Sequence, residues 1–295
     1  MSNNFMIRSL TNNDIPYITK LAIKENFAPG LGDVNIYRNT DKQGLWVGCL
    51  NSKVIGCIAG IKYNQNYGFV GLFIVDDRFR GKGFGLQLWK HIINHLKHVN
   101  CLGIEAAPDR ITDYQTWGFM PSSITTRWRI DSTVKPDLKD SYSININDYL
   151  LLEGSQIPQD IIQKYDSTKE YTPRPHFLSD WLSNTDGKVL ALVNQSGICV
   201  GFGRIRTCLL KEGRGHRIGP LIADNHDLAC FLLQNLIKQF PGIILVDSPG
   251  INIDANILFT NLNFQPISYT VRMYKGEQPT ISMKEIYGLA CLELG

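Results

Sequence analysis

The stretch Val70-Gly-Leu-Phe-Ile-Val-Asp-Asp-Arg-Phe-Arg-Gly-Lys-Gly-Phe-Gly-Leu-Gln-Leu-Trp89 decides the fold. Phe69 to Val75 is an apolar, β-branched run stopped by acidic residues, which is the pattern of a buried strand. Gly81, Gly83 and Gly85 follow, with Arg80 and Lys82 beside them. The period then changes: Phe84, Leu88, Ile92 and Leu96 recur at helical spacing. Strand, basic glycine loop and helix gather several backbone N–H groups and a helix N-terminus around one point, which attracts an anion such as a phosphate. Glycine suits that point because a side chain would obstruct the anion and the turn needs positive φ.

The spacing selects among phosphate loops. A nucleotide P-loop requires four residues between its glycines and then Lys-Ser/Thr, and neither is present. A dinucleotide fingerprint requires Gly-x-Gly-x-x-Gly, but Gly83-x-Gly85 runs on into Leu86, Gln87 and Leu88 with no third glycine in place. The pattern that fits is Arg/Gln-x-x-Gly-x-Gly/Ala, here Arg80-Gly-Lys-Gly83-Phe-Gly85, directly after a strand ending in Ile-Val. It resembles the acetyl-coenzyme A pyrophosphate loop of the GNAT N-acetyltransferase superfamily. The plain alternative is a glycine-rich turn with incidental basic residues.

The chain of 295 residues suits two domains of about 150 residues each. A hydrophobic content of 43% and a charged content of 19% describe an ordinary globular chain. Its net charge of +3 arises from 30 basic and 27 acidic residues, which gives no argument for a nucleic-acid partner. Seven cysteines are scattered without a Cys-x-x-Cys, so neither a disulfide framework nor a metal site is expected. The N-terminus lacks the apolar core of a signal peptide and no run approaches membrane-spanning length. A cytoplasmic location without a membrane partner is the expectation.

Periodicity along the first half predicts a strand over 5–10, a helix bearing Ile15, Ile18, Leu21 and Ala22, and a loop broken by Pro29, Gly30 and Gly32. Strands over 45–50 and 54–62 precede the opening stretch. A strand over 101–106, a short helix over 111–117 closed by Gly118, and a strand over 124–130 follow it. Hairpin strands followed by one helical crossover require a parallel pair, which can splay to leave a slot for an extended ligand. This order is similar to that of a GNAT domain over residues 3–132.

Residues 134–142 are read as a linker between a first domain, 1–133, and a second, 143–276, with a tail over 277–295. The second half repeats the first weakly at an offset of about 145 residues, as in Gly56 against Gly201, Phe119 against Phe264 and Arg127 against Arg272. Where the first half has Arg80-Gly-Lys-Gly-Phe-Gly85, the second has Asp224-Asn-His-Asp-Leu-Ala229, which would repel a pyrophosphate. Through Arg217-Ile-Gly-Pro-Leu-Ile-Ala223, Val246-Asp-Ser-Pro-Gly-Ile-Asn252 and Thr270-Val-Arg-Met-Tyr274 it resembles the second domain of two-domain, YitH-like acetyltransferases. The expected fold is therefore α/β (α+β): a tandem GNAT (acyl-CoA N-acyltransferase) fold with mixed, mostly antiparallel twisted sheets flanked by helices and a degenerate second copy.

The resemblance implies acetyl-coenzyme A as co-substrate, no metal, and transfer of an acetyl group by direct attack of a primary amine, with a small metabolite as partner. It implies coenzyme A contacts at Phe73, Ile74, Val75, Arg80, Gly81, Lys82, Gly83, Phe84 and Gly85. Tyr114, in a Tyr-x-x-x-Gly-Phe match, is expected to protonate the departing thiolate. Glu105 is expected as base, the plain alternative being a carboxylate paired with a nearby Arg or Lys. Glu25 and Asp33 are candidates on the acceptor side. Asp76 and Asp77 are expected to cap the strand end and stay solvated. Arg206, Asp247 and Asn252 are read either as structural, with an Arg206–Asp247 pair, or as part of a substrate pocket between the domains. Two competing functions share the loop: a non-catalytic acyl-coenzyme A sensor, and an aminoacyl transferase, which would need a basic groove for transfer RNA. A monomer and a homodimer are both compatible with the sequence.

Overall fold

The computed structural model describes residues 4–133, 142–281 and 283–295. The expected linker, 134–142, lies outside them except for its last residue. In the first half, β1 (Phe5–Ser9) leads to α1 (Ile15–Lys24) and α2 (Asp33–Thr40). An antiparallel meander follows: β2 (Leu45–Leu50), β3 (Lys53–Lys62) and β4 (Tyr67–Val75). Helix α3 (Phe84–His95) then crosses to β5 (Cys101–Ala106), which lies parallel to β4, and α4 (Ile111–Gln115) leads to β6 (Met120–Asp131). The α3 face carrying Phe84, Leu88, Trp89 and Ile92 is buried, so the helical spacing read from sequence is the core stripe.

The second half repeats this order. It contains β7 (Tyr149–Glu153), α5 (Gln159–Ser167), α6 (Pro175–Ser183), β8 (Lys188–Asn194), β9 (Cys199–Leu210) and β10 (Gly213–Ala223). After them come α7 (His226–Ile237), β11 (Ile243–Pro249), α8 (Ile253–Asn261), β12 (Gln265–Gly276) and β13 (Ile286–Gly288). Strands β10 and β11 are parallel, the counterpart of β4 and β5.

The two expected sheets are one. Thirteen strands form a continuous sheet ordered β1-β2-β3-β4-β5-β12-β6-β11-β10-β9-β8-β7, with β13 added to β10. The last strands of the halves are exchanged: β5 is flanked by β12 from the second half, and β11 by β6 from the first. Strands β6 and β12 pair with each other along most of their length. The boundaries near 133 and 143 therefore divide the sequence but not the sheet, because each half's parallel pair is completed by the other half's strand.

The tail over 277–295 is likewise not a tail. Ile286, Tyr287, Leu289, Ala290, Cys291 and Leu294 are buried, and the last three join the core formed by α1, α2, the first-half strands and α6. Apolar burial on this scale ties the segment to both halves.

Candidate active site

Strands β4 and β5 pair only from Tyr67 opposite Cys101 to Val70 opposite Ile104. Beyond Val70 they part. On the other side of β4 the register slips, so that Gly71 lies opposite Ala59 and Ile74 opposite Cys57, leaving Leu72 and Phe73 against Ile58 alone. This is a β-bulge, and Leu72 within it sits at φ 44°, in the left-handed region that a branched side chain normally avoids. Strain of this kind is retained where the surrounding fold imposes it, commonly beside a ligand site. A cavity of about 820 Å³ opens at the divergence, walled by Leu72, Phe73, Ile74 and Val75 on one side and Ile104, Glu105 and Ala107 on the other.

One end of the cavity is the glycine loop. Gly81 and Gly83 have φ of 73° and 81°, and a Cβ on either would meet no protein atom within 4 Å. They thus leave an open cradle at the start of α3, as phosphate oxygens require. Arg80, Gly81, Gly83, Phe84 and Gly85 line the cavity together with Phe73, Ile74 and Val75. Lys82 does not: its ammonium donates to the Arg78 carbonyl at 3.3 Å and lies over the Phe79 ring. Arg80 donates to the Val75 carbonyl at 2.8 Å and pairs with Glu25 at 2.6 Å. Glu25 therefore lines the loop end of the cavity as the partner of Arg80, a different place from the acceptor wall expected of it. Asp76 is buried and bonded by Arg78 and Tyr17, correcting the expectation that it stays solvated; Asp77 is exposed and pairs with Lys24.

Tyr114 stands deeper in, on α4, with its ring packed 5.0 Å from Trp89 and against Phe119. Burial pushes its phenol up to about 12, so it carries its proton at neutral pH. Glu105 also lines the cavity, but its oxygens are engaged. Its Oε1 accepts from Arg272 Nε at 2.5 Å and Thr125 Oγ1 at 3.0 Å, and Oε2 accepts from Thr270 Oγ1 at 2.6 Å. The plain alternative, a carboxylate paired with arginine, is what the structure contains, and both of its oxygens are already taken by protein donors.

The remaining polar candidates sort differently from the sequence expectation. Arg206 does not reach Asp247; it pairs with Asp33 at 3.1 Å, both side chains being fully buried. Asp33 also accepts from the Gly30 amide and Tyr37 hydroxyl, and neither Asp33 nor Arg206 lines the cavity. Asn252 caps α8, accepting from the Ala255 amide and donating to the Lys284 and Ile286 carbonyls, so it serves packing. Asp247 does line the cavity, held by Arg127 at 2.7 and 2.9 Å and by Arg217 at 2.6 Å. Burial opposes its charge, yet the two guanidinium groups hold its carboxyl down at about 2. Arg127 is a site residue that sequence reasoning missed as such. Its signal was present in the internal repeat, since Arg127 and Arg272 are counterparts and each pairs with an acid on the strand beside it, Asp247 and Glu105.

Among the described residues, the corresponding position beside the second parallel pair is filled. Where β10 leaves β11, its Leu221 and Ile222 pair with Gly288 and Ile286 of β13, and the Leu289 amide donates to the Asp247 carbonyl. The chain's own strand fills the position that the cavity occupies beside β4, and the loop Asp224–Ala229 offers Asn225 as an ordinary cap to α7.

Comparisons with known proteins agree with this duplication. A sequence profile of the acetyltransferase (GNAT) family matches residues 15–119, and one of an acetyltransferase (GNAT) domain matches residues 162–288. A curated relative, the holothin acyltransferase of Pseudoalteromonas sp. (strain SANK 73390), is 26% identical over 280 residues, covering 94% of this chain and 90% of its own. Among solved structures, a putative acetyltransferase from Pyrococcus horikoshii is similar with a TM-score of 0.79 at 18% identity, over 99% of this chain and 96% of that one. A tandem GNAT protein from the clavulanic acid biosynthesis pathway is similar with a TM-score of 0.66 at 15% identity, over 94% and 100%. These two likenesses concern the fold.

Proposed function

Because the chain belongs to the GNAT superfamily of acyltransferases, with one such domain in each half, we propose that it transfers an acetyl group from acetyl-coenzyme A to a primary amine of a small metabolite. The observation that carries this reading is the continuity of one cavity from the open cradle at Gly81 and Gly83, along the parted strand Leu72–Val75, to Tyr114. The amides of Gly81 to Gly85 and the Arg80 guanidinium would hold the pyrophosphate, and the free edge of β4 would pair with the pantetheine arm as an added strand. Bound there, the thioester supplies an activated acetyl carbon. The bulge at Leu72 offers a place for a backbone N–H to polarise the thioester carbonyl. Tyr114 donates its proton to the leaving sulfur. With β13 in the second slot, one acetyl-coenzyme A per chain is the consequence.

The test is release of free thiol from acetyl-coenzyme A across amino acids, polyamines, amino sugars and arylalkylamines, with coenzyme A affinity measured by calorimetry in parallel. Turnover with one amine class supports the reading; tight coenzyme A binding without turnover of any amine would favour the sensor function instead. The loop itself is checked by Gly83→Ala. Its methyl would project into the cradle, so coenzyme A affinity is expected to fall about tenfold or more. Left-handed strain at φ 81° is expected to cost about 1–2 kcal/mol of stability, seen as a modest shift in Tm. Unaltered coenzyme A affinity would remove the loop from the binding site.

A further inference from the structure

The acceptor end of the cavity is lined by the C-terminal segment, through Leu292 and Glu293. The Glu293 carbonyl packs onto Gly71, where a Cβ would lie only 2.0 Å away, next to the left-handed Leu72. The segment thus meets β4 where the slot opens. Three carboxylates lining the cavity have side chains at most 2% exposed: Glu105, Asp247 and Glu293. Glu105 accepts hydrogen bonds on both oxygens, from Arg272, Thr125 and Thr270. Asp247 does so from Arg127 and Arg217. Glu293 differs. Its Oε2 accepts from the Tyr37 hydroxyl at 3.1 Å, while its Oε1 lies 3.7 Å from Arg217 Nη1, too far for a hydrogen bond. Among the described residues it is the buried carboxylate of the cavity with an oxygen left to accept from a ligand.

The cavity walls near it describe what that ligand carries. Phe27, Leu292 and Tyr269 also line the cavity. Tyr269 is half-exposed; Ile267, two residues before it on β12, and Ile124 on β6, opposite Val271, are exposed too. The Gly250 amide donates to the Ile124 carbonyl at 2.6 Å, which brings the neighbouring, exposed Ile251 close to Ile124. A contiguous apolar surface at the mouth of a pocket marks a binding face.

We propose that Glu293 holds the ammonium of the acceptor and takes its proton, and that the acceptor is a primary amine on an apolar body. This rests on the amine-acetylation reading above. Once deprotonated, the nitrogen lone pair forms the bond to the acetyl carbon as the C–S bond breaks. Of the two protons leaving the nitrogen, one passes through Glu293 to solvent and the other ends on sulfur by way of Tyr114.

The experiment is calorimetric titration of the full-length protein, saturated with coenzyme A, with 2-phenylethylamine. Glu293→Gln is expected to weaken the amine about tenfold or more, as loss of a charge-assisted bond requires, with coenzyme A affinity unchanged. With acetyl-coenzyme A, its kcat is expected to fall about 100-fold. If Glu293→Gln does not fold, Glu293→Asp, which withdraws the carboxylate by one methylene, carries the test with an intermediate loss of affinity expected. Equal amine affinity in wild type and variant, or no binding of 2-phenylethylamine to the wild type, overturns the proposal. A wild type that binds the amine through Glu293 but never acetylates it supports the site and overturns the transfer reading.

Discussion

Asp247→Ala is expected to lower the unfolding free energy by about 3–5 kcal/mol, because it leaves buried guanidinium groups without their counter-charge. Arg127 and Arg217 are both buried and both close on this carboxylate, at 2.6 to 2.9 Å. What remains for them is the Asn26 carbonyl for Arg127, and the Phe27 and Ala28 carbonyls with a distant Glu293 for Arg217. Thermal unfolding should move down by about 10 °C, and a shift within about 2 °C would show that the pair is dispensable. The pH dependence has a definite sign. The folded carboxyl is held at about 2 against a usual value of 3.8, so its contribution is fully present above about pH 4 and is lost as pH falls toward 2. The gap in stability between wild type and Asp247→Ala should therefore narrow over that interval. A gap that stays constant from pH 5 to 2.5 would contradict the ion-pair account.

Tyr114→Phe is expected to reduce kcat about 100-fold, the low end of the range for removing a positioned general acid. The substitution removes one oxygen and keeps the ring that packs on Trp89 and Phe119, so stability and coenzyme A affinity should change little. Burial holds the wild-type phenol up at about 12 by penalising the phenolate, so the acid form persists across the working range. The wild-type kcat should show no loss attributable to this group up to about pH 10. A Phe variant with wild-type kcat would take Tyr114 out of the chemistry and leave it as a wall of the cavity.

How far the site was legible depends on how local its parts are. The loop Arg80–Gly85 is a contiguous pattern in which backbone geometry, charge and helix start lie within a few residues. Spacing therefore carried most of its content, although Lys82 turned to Arg78 and Phe79, which spacing cannot foresee. The place of Tyr114 on the cavity wall was legible for the same reason, four residues before Gly118 on a short helix. Glu105 was placed correctly on its strand, but its partners Thr125, Thr270 and Arg272 arrive from strands up to 167 residues away. The acidic and basic residues of the second half were correctly singled out as needing partners, since buried charge must be paired. Which acid met which arginine was not legible: Arg206 found Asp33 and Arg217 found Asp247.

The sequence by itself determined the two copies of the fold, the strand–loop–helix that forms the cradle, and the loss of that cradle in the second copy. All three follow from local patterns of hydrophobicity, glycine and charge, whose physical consequences are settled within one element and its neighbours. Tertiary structure alone decided the exchange of β6 and β12, the filling of the second slot by β13, and the arrival of Glu293 at the first. A repeated strand of similar pattern satisfies either partner's edge, so its own residues do not say which copy it joins. The outcome depends on where chain connections allow the strand to lie and on the Arg127–Asp247 and Arg272–Glu105 pairs that close across the halves. The C-terminal segment, with apolar residues too few for a long periodicity, acquires its meaning only between the two parallel strand pairs that part at Val70 and Ile218.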